Sequence, residues 1–522
     1  MSADAPAAEP AWSAASTADW HARKKLLLML LLPLLVGTEF LESGMFVFSA
    51  SHIAGGIDAA PREFASVLAA YAIGSMTMIA LQQWLSRHFG YRRYLVGAQV
   101  FFIAGALGST AADSLGALVV ARLVQGFGGG ALFTSSRILV LLMFPPAERP
   151  RALRFFITVL FGLSALAPAL SAWLVDDYGW RWVFAAPVPL MLLGALGAWT
   201  LLPDAVGRSA EPVRWAATPL LLFAAAITLV QLGLSEARYD VFMNPGHLVV
   251  LAFAGCLMLG WFAAHQWGHE APLLRWRDLQ HPAYLMGLTL YFLHYCMSNA
   301  SSYLFPIFAE RALELPLTTV GLLNSGAAVV TAVAAWAYVR FGSRLQRKKP
   351  LMAAGALLMA LSAWGFAAMS PDVPASALLP ALAAKGAFGA LFVLPVAGFT
   401  FRDLGEERFA PGYQSKNLMR QLAGSFGTAV ASIALADLQF AKSVELRGAM
   451  NFATSSRWVD SLQAGFAAQG FAPGQAHGAA LGVLARLLDQ QALMLASIEL
   501  YRMLAALGLL MLAVVLLQRK FK

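Results

Sequence analysis

Two carboxylates that could exchange a proton, an arginine and a glutamine lie inside long apolar runs. Glu39 and Glu42 are spaced i, i+3 in EFLESGMFVF, and Arg122 and Gln125 share the same spacing in ARLVQGFGGG. An ionised group in such a run, if the run crosses a bilayer, is retained only where it faces the protein interior and finds a partner. Burial disfavours an ionised carboxyl group and a nearby arginine favours it, so a carboxylate that alternates between the two environments can exchange a proton near neutral pH.

We therefore hypothesise that Glu42 is a proton-coupling carboxylate, that Arg122 tunes it, and that Glu39 shares this role or faces a bound molecule. The alternative is a permanent, purely structural ion pair between Arg122 and one of the two glutamates. Lys385 lies in AAKGAFGALFV, which echoes the segment around Arg122, and it is a candidate for binding substrate or pairing with an acid.

The composition places these residues in a membrane protein. The 522-residue chain is 59% hydrophobic and 12% charged, whereas a soluble globular protein carries about 25% charged residues. The net charge of +9 belongs largely to short loops between apolar runs, so membrane topology explains it better than nucleic-acid binding. The two cysteines, Cys256 and Cys296, form no metal-binding motif, and no phosphate-binding loop is present. We expect no cofactor, no metal site and no enzymatic activity.

The apolar runs predict an all-α polytopic protein with about 14 spans of roughly 20 residues each. The predicted spans are 26–49, 64–84, 94–112, 115–144, 151–175, 182–202, 216–236, 246–266, 283–309, 317–340, 350–370, 378–400, 415–438 and 493–517. Lys and Arg concentrate in every second loop, which predicts that both termini are cytoplasmic.

Faint internal repeats predict two pseudo-symmetric six-helix bundles, an arrangement typical of secondary transporters. We assign 1–24 to a disordered cytoplasmic tail, 25–205 to the N-terminal bundle, 206–275 to two inserted helices and 276–522 to the C-terminal bundle. Within the last, about 439–492 is predicted to form a long, partly helical segment outside the membrane.

Several polar and aromatic residues are further candidates for binding an amphipathic small molecule between the bundles. They are Gln125, Phe40, Tyr71, Asn299 and Tyr303. Aromatic residues of this kind are equally typical of a lipid-facing helix, so the apolar candidates are the weaker predictions.

Several motifs resemble the major facilitator superfamily, in particular its fourteen-span drug:proton antiporters of the EmrB/QacA type. ARLVQGFGGG is similar to the family's RxxQGxGxG motif, and WLSRHFGYRR to its loop motif, with Arg87 where an aspartate usually stands. DDYGWRWVF is similar to the WRWIF signature. APALSA keeps the proline, Pro168, of the GPxxGG antiporter motif but not its glycines. The resemblance implies gating or structural roles for Arg87, Gly90, Arg92, Gly126, Gly130, Pro168, Trp180, Arg181, Trp182 and Arg420.

The resemblance implies a secondary active transporter of the bacterial inner membrane that exports amphipathic drugs or toxic compounds in exchange for protons. It also implies a periplasmic adaptor and an outer-membrane channel as partners if the source is Gram-negative. Two alternatives stay open: an exporter dedicated to one native metabolite, toxin or siderophore, and a non-transporting receptor or scaffold on the same fold. The charges inside apolar runs in both halves disfavour the scaffold.

Overall fold

The computed structural model describes residues 20, 22–209, 217–269, 272–345, 347–450 and 452–518, and these contain helices, turns and irregular segments but no strand. The α-helices are α1 Ala22–Phe48, α2 Ala50–Gly56, α3 Pro61–Thr110, α4 Leu115–Met143, α5 Arg149–Tyr178, α6 Trp182–Ala185, α7 Val188–Leu201, α8 Ala217–Met243, α9 Pro245–Gly268, α10 Pro282–Ile307, α11 Leu317–Arg340, α12 Lys349–Ala367, α13 Leu379–Leu391, α14 Val393–Thr400, α15 Glu406–Ala449, α16 Phe452–Ala468 and α17 Pro473–Leu517. Some of the connections between them are short helices of other types. These are the 3₁₀ helices Trp276–Leu279, Gly342–Arg344 and Ala375–Leu378 and the π-helical turn Phe308–Ala312.

The all-α, multi-span class is confirmed: 12 helices among the described residues are long and apolar enough to cross a membrane. The helix α3 takes in the predicted span 64–84 and most of 94–112 as two helical segments that meet at a kink. The chain bends there at Gly90, whose φ of 79° and ψ of 158° are non-helical. The helix α10 matches the predicted span 283–309 but is not one of the 12. The count of fourteen spans stays a prediction.

Two helices extend well beyond their predicted spans. The helices α15 and α17 contain 44 and 45 residues, which at 1.5 Å per residue is about 66 Å, roughly twice the hydrocarbon thickness. The segment 439–492 is therefore mainly the end of α15, the 17-residue α16 and the start of α17. These helices agree with the partly helical segment that the sequence predicted, and its position outside the membrane stays a prediction.

Each half of the chain has its own main hydrophobic core, and the core of the second half also takes in Phe48 and Ala172 of the first. In the first half, buried Leu, Phe and Met side chains of α1, α3, α4, α5 and α7 pack together around Phe102 and Phe144. In the second half, Phe305, Phe366 and Tyr501 anchor another core. This division agrees with two bundles, while the boundaries at 205 and 275 stay predictions. Most of the predicted tail 1–24 lies outside the described residues.

The helices α8 and α9 cover the seam between the halves on one side. Phe223 of α8 and Phe262 of α9 pack with Met76 of α3 and Leu418 of α15 in one buried cluster. Such a position lets the inserted pair contact both bundles while its outer face, including Phe253 (69% exposed), stays open to the surroundings.

The two halves contact each other near both ends of the helices. At the end predicted to be cytoplasmic, Arg149 of α5 forms a 2.6 Å ion pair with Glu406 of α15. At the other end, His52 lies 3.8 Å from Glu310. Between these ends, Gln421 of α15 donates a hydrogen bond to Ser75 of α3 at 2.8 Å. The two halves therefore contact each other near both ends and in between.

Candidate functional site

The close packing of α4 against α3 places Arg122 in the interior. The Ser114 hydroxyl caps the start of α4 by accepting a hydrogen bond from the Ala117 amide at 3.3 Å. A Cβ atom at Gly126 would overlap the Tyr71 carbonyl, and one at Gly130 would overlap the Ser75 carbonyl. The two glycines thus let the helix backbones approach closely, as small residues do in membrane helix pairs. Both glycines therefore serve the packing of α4 against α3, and a role in gating stays a prediction.

Arg122 forms a buried ion pair with Glu42. The Arg122 Nη1 atom lies 2.6 Å from Glu42 Oε1 and also donates to Gln125 Oε1 at 2.7 Å. The side chains of Arg122 and Glu42 are only 2% and 0% exposed. The guanidinium carbon lies 3.9 Å from the Phe46 ring centre and 4.4 Å from the Tyr71 ring centre. The structure thus brings together the pair that the sequence predicted, with Gln125 as its third member.

Glu39 lies one turn away on the same helix, without a cation in an ion pair. Its Oε1 accepts a hydrogen bond from the Tyr71 hydroxyl at 2.9 Å and a longer one from Ser43 at 3.4 Å. Its Oε2 is buried without a hydrogen-bond partner among the described residues. A Cβ atom at Gly129 would overlap the Tyr71 hydroxyl and touch Glu39, so this glycine leaves room for both side chains. Tyr71 therefore joins the two carboxylate positions: its hydroxyl bonds to Glu39 and its ring lies against Arg122.

Arg420 also faces this region, although its span placed it near the membrane boundary. Because α15 begins at Glu406, Arg420 lies four turns into the helix rather than near its end. Its guanidinium carbon lies 4.0 Å from the Phe133 ring centre and 5.2 Å from that of Phe40. Because Phe40 adjoins Glu39 in the sequence, Arg420 approaches the region of the two glutamates from the second half of the chain. Arg420 of the second half therefore contacts α1 through Phe40, which places Phe40 beside the two glutamates and Arg420.

Three predicted binding residues lie in other surroundings. The Asn299 amide donates to the Tyr295 carbonyl of its own helix at 2.8 Å, and the Tyr303 hydroxyl accepts from Arg238 at 3.2 Å. The Lys385 Nζ atom is buried, without a hydrogen-bond partner among the described residues, 5.4 Å from the Phe305 ring centre. None of the hydrogen bonds or ion pairs described for these residues joins them to Glu39, Glu42 or Arg122.

The motif residues at the bend of α3 contact the segment that follows α7. They are Arg87, Gly90 and Arg92. The Arg87 carbonyl accepts from the Ser209 amide at 2.8 Å, and Arg92 lies 3.3 Å from an Asp204 carboxylate oxygen. A Cβ atom at Gly90 would crowd the Asp204 carbonyl at 2.6 Å. These contacts brace the bend of α3. A gating role for these residues stays a prediction.

The remaining motif residues lie in and after α5. Pro168 lies inside α5, and its carbonyl faces Gly321 of α11 so closely that a Cβ there would be 2.8 Å away. Arg181 forms a 2.7 Å ion pair with Asp113 and lies 4.5 Å from the Trp180 ring centre. Trp180 is 9% exposed, whereas Trp182 is 50% exposed.

Sequence reasoning missed Lys416. This lysine is 4% exposed, and its Nζ lies 5.0–5.5 Å from the ring centres of four aromatic residues. The predicted span 415–438 placed Lys416 at a membrane boundary, where a lysine needs no explanation. The i, i+4 spacing of Lys416 and Arg420, which puts both on one helix face, was the available signal. Within the described part of the chain, no group of three or more His, Cys, Asp or Glu residues is arranged to hold a metal ion.

The fold and the site define a polytopic membrane carrier: two helical bundles with a buried acid–base network between them. The family model of the Major Facilitator Superfamily matches residues 32–428, and the chain therefore belongs to this superfamily. It is a multi-pass protein of the bacterial inner membrane. The expected relationship to the EmrB-type drug antiporters is confirmed by the relatives described next.

Two relatives cover most of the chain. The chain is 23% identical over 410 residues to the multidrug export protein EmrB of Haemophilus influenzae, covering 78% of this chain and 80% of that protein. It is 22% identical over 481 residues to the fatty acid resistance protein FarB of Neisseria gonorrhoeae, covering 90% and 91%.

A solved structure confirms the fold. A bacterial homologue of the human drug peptide transporters PepT1 and PepT2 superposes with a TM-score of 0.62, covering 94% of this chain and 97% of that one at 15% identity. At this identity the similarity concerns the fold alone.

Proposed function

We propose that the protein is a secondary active efflux transporter that exports amphipathic small molecules in exchange for protons by alternating access. Relatives named for multidrug export and for fatty acid resistance support export of amphipathic compounds. The superfamily fold, with two bundles in contact, supports a mechanism in which the bundles rock around a central site.

The observation that carries the proposal is the buried carboxyl group of Glu39. It is 3% exposed, one of its oxygens has no hydrogen-bond partner among the described residues, and it lies one turn from the Glu42–Arg122 pair. An ionised carboxylate buried without a strong partner is costly, so it tends to take up a proton or to await a counter-charge. A group in that position can change protonation state when the bundles move.

The pairing supports different roles for the two glutamates. Glu42 is bonded to Arg122 at 2.6 Å, so protonating it would leave a buried arginine without its counter-ion. Glu39 is held by the neutral hydroxyl groups of Tyr71 and Ser43, and among the described residues it forms no ion pair with a cation. We propose that Glu39 exchanges the proton directly and that Glu42 joins in only when a rearrangement separates it from Arg122.

Alternating access then couples the two fluxes through one site. With Glu39 protonated, the site carries one negative charge fewer. After release of the proton, the carboxylate regains its negative charge. If each conformational exchange carries either the substrate or the proton, but not both, entry of protons drives exit of substrate.

The proposed function includes a proposed membrane topology. We propose cytoplasmic termini, bundles at 25–205 and 276–522, and inserted helices at 206–275. In a Gram-negative source, we propose that the helical segment 439–492 faces the periplasm, where an adaptor and an outer-membrane channel would continue the export path. Exposed apolar residues there, such as Trp458 at 56% exposure, support a contact with another surface.

The test uses purified protein in liposomes with a pH gradient and a panel of fluorescent amphipathic compounds of positive, negative and zero charge. Wild type is expected to accumulate at least one compound against its gradient when the pH gradient is imposed. Glu39→Gln is expected to lose this accumulation while retaining exchange of the compound down its own gradient.

Glu445→Gln, the same change at a 68% exposed carboxylate, is the matched control and is expected to behave like wild type. Glu42→Gln tests the second carboxylate in the same assay. Failure of the wild type to accumulate any compound would contradict proton-driven transport. Unchanged accumulation by Glu39→Gln would contradict the assignment of this residue.

A further inference from the structure

We propose that Lys416, Arg420 and Arg137 form an anion-binding site between the two halves, and that this site takes the acidic group of an amphipathic organic monoanion such as an aryl or fatty carboxylate. The inference rests on the proposed transport function, because it names the chemical class of the molecule carried. Nothing in the resemblance to other proteins assigns these three residues to a ligand.

Lys416 is surrounded by aromatic rings from both halves. Its Nζ lies 5.1 Å from the ring centre of Phe133 on α4 and 5.0 Å from that of Tyr413 on its own helix. Tyr291 and Tyr295 of α10 lie 5.0 Å and 5.5 Å away. The one hydrogen bond described for the ammonium group goes to the Asn417 amide oxygen at 3.1 Å. The other ammonium protons are therefore available to an acceptor.

Two arginines extend this positive region. Arg420 lies over Phe133 and Phe40, and its Nε is buried without a hydrogen-bond partner among the described residues. Arg137 of α4 lies 5.1 Å from the ring centre of Phe409. Lys416 and Arg420 lie over the same ring, that of Phe133. Phe409, the ring beside Arg137, stacks on Tyr413 at 5.7 Å, and Tyr413 in turn lies 5.0 Å from Lys416 Nζ, so the three cations share one region.

These positive charges lack matching negative charges. Within the part of the chain that the structure describes, no acidic side chain forms an ion pair with any of the three cations. Glu39, which adjoins Phe40 in the sequence, is hydrogen-bonded to Tyr71 and Ser43 instead. Buried charges are retained when they are paired or when they mark the path of a substrate. Aromatic faces attract a cation but do not neutralise it, so a bound anion would supply the missing charge.

The surroundings specify the rest of the ligand. Phe40, Phe133 and Tyr295 offer apolar and aromatic surface beside the cations, which suits a hydrophobic body attached to the acidic group. A cationic compound would meet three positive charges against one carboxylate and would be repelled. The arrangement thus favours an amphipathic monoanion over both an amphipathic cation and a small inorganic anion.

The test compares two fluorescent probes of similar size and opposite charge, 1-naphthaleneacetate and 1-naphthylmethylammonium. Binding to the purified protein in lipid nanodiscs is measured by equilibrium dialysis, with 100 mM chloride present throughout as the competing inorganic anion. Wild type is expected to bind the anion at least tenfold more tightly than the cation, because a charge-assisted hydrogen bond contributes on that order.

Lys416→Met and Arg420→Gln are each expected to weaken binding of naphthaleneacetate about tenfold without weakening binding of the cation. Arg420→Lys, which keeps the charge, is expected to lose less. Lys442→Met, the same change elsewhere on α15 at a lysine paired with Glu445, is expected to bind like wild type. Size-exclusion profiles identify any variant that fails to fold. If a charge-removing variant fails to fold, the anion affinity of Arg420→Lys is compared with that of wild type instead.

Three results would overturn the inference: no binding of naphthaleneacetate by wild type, a preference for the cation, or unchanged anion affinity in both charge-removing variants. The assay needs no proton gradient. Lys416-dependent anion binding without proton-driven accumulation would refute the proposed transport function but not this site. Proton-driven export of cations alone would refute the site but not the transport function.

Discussion

The buried pair of Glu42 and Arg122 should respond differently to loss of either partner. The two side chains are 0% and 2% exposed and 2.6 Å apart, and breaking such a buried pair costs about 3–5 kcal/mol. In Glu42→Gln the arginine stays charged, because a guanidinium is not deprotonated at accessible pH. In Arg122→Gln the remaining glutamic acid can instead take up a proton and stay buried as a neutral group.

The magnitude of this difference follows from the ordinary acidity of glutamic acid. Protonating a carboxyl group whose unfolded-state pKa is about 4.3 costs about 4 kcal/mol at pH 7, and this cost falls by about 1.4 kcal/mol for each unit by which the pH is lowered. The direction in which pH changes the stability of each variant therefore follows. The stability deficit of Arg122→Gln should shrink by roughly 3 kcal/mol between pH 8 and pH 6, while that of Glu42→Gln should not shrink.

The assay is thermal unfolding of the purified protein in detergent at pH 6, 7 and 8, with each variant compared with wild type at the same pH. The double variant Glu42→Gln/Arg122→Gln removes both charges and is expected to be more stable than Glu42→Gln. A deficit of Arg122→Gln that stays constant over this range, or a double variant less stable than both single variants, would refute the reasoning.

Two further predictions concern glycines of the N-terminal bundle. Gly130→Ala should destabilise the protein by more than about 2 kcal/mol, because its new Cβ would overlap the Ser75 carbonyl; Gly116→Ala, where no atom lies within 4 Å, should be neutral in the same thermal assay, and equal melting temperatures would contradict this. Gly90→Ala should cost at least about 1–3 kcal/mol, because a φ of 79° with a ψ of 158° is a conformation that essentially only glycine adopts; wild-type thermal stability and yield of Gly90→Ala would show that the bend tolerates a side chain.

Residue types and spacing were sufficient to predict the acid–base pair. A permanent cation in an apolar helix must be paired, and the two glutamates of the first helix were the candidate partners of Arg122. Which glutamate bonds to Arg122 did not follow, because i, i+3 neighbours face nearly the same way. The helix packing decided it, and Tyr71 took the other carboxylate.

Helix lengths were predicted less well than helix positions. Hydropathy reports where an apolar segment lies, but a helix continues wherever its backbone hydrogen bonds do, whether in lipid or in water. For this reason α15 and α17 extend beyond 415–438 and 493–517. Because the predicted span began at 415, Lys416 and Arg420 were placed near the membrane boundary. For this reason the sequence did not predict that these two cations lie in one region with Arg137.

By itself, the sequence determined the class of protein, because the apolar runs and their charge pattern can be accommodated only in a bilayer. It also determined that Arg122 needs a buried acidic partner. Only the tertiary structure decided that Lys416, Arg420 and Arg137 share one region with aromatic rings from α4, α10 and α15. Residues nearly 300 positions apart meet there because the two bundles pack against each other, and no local spacing records that contact.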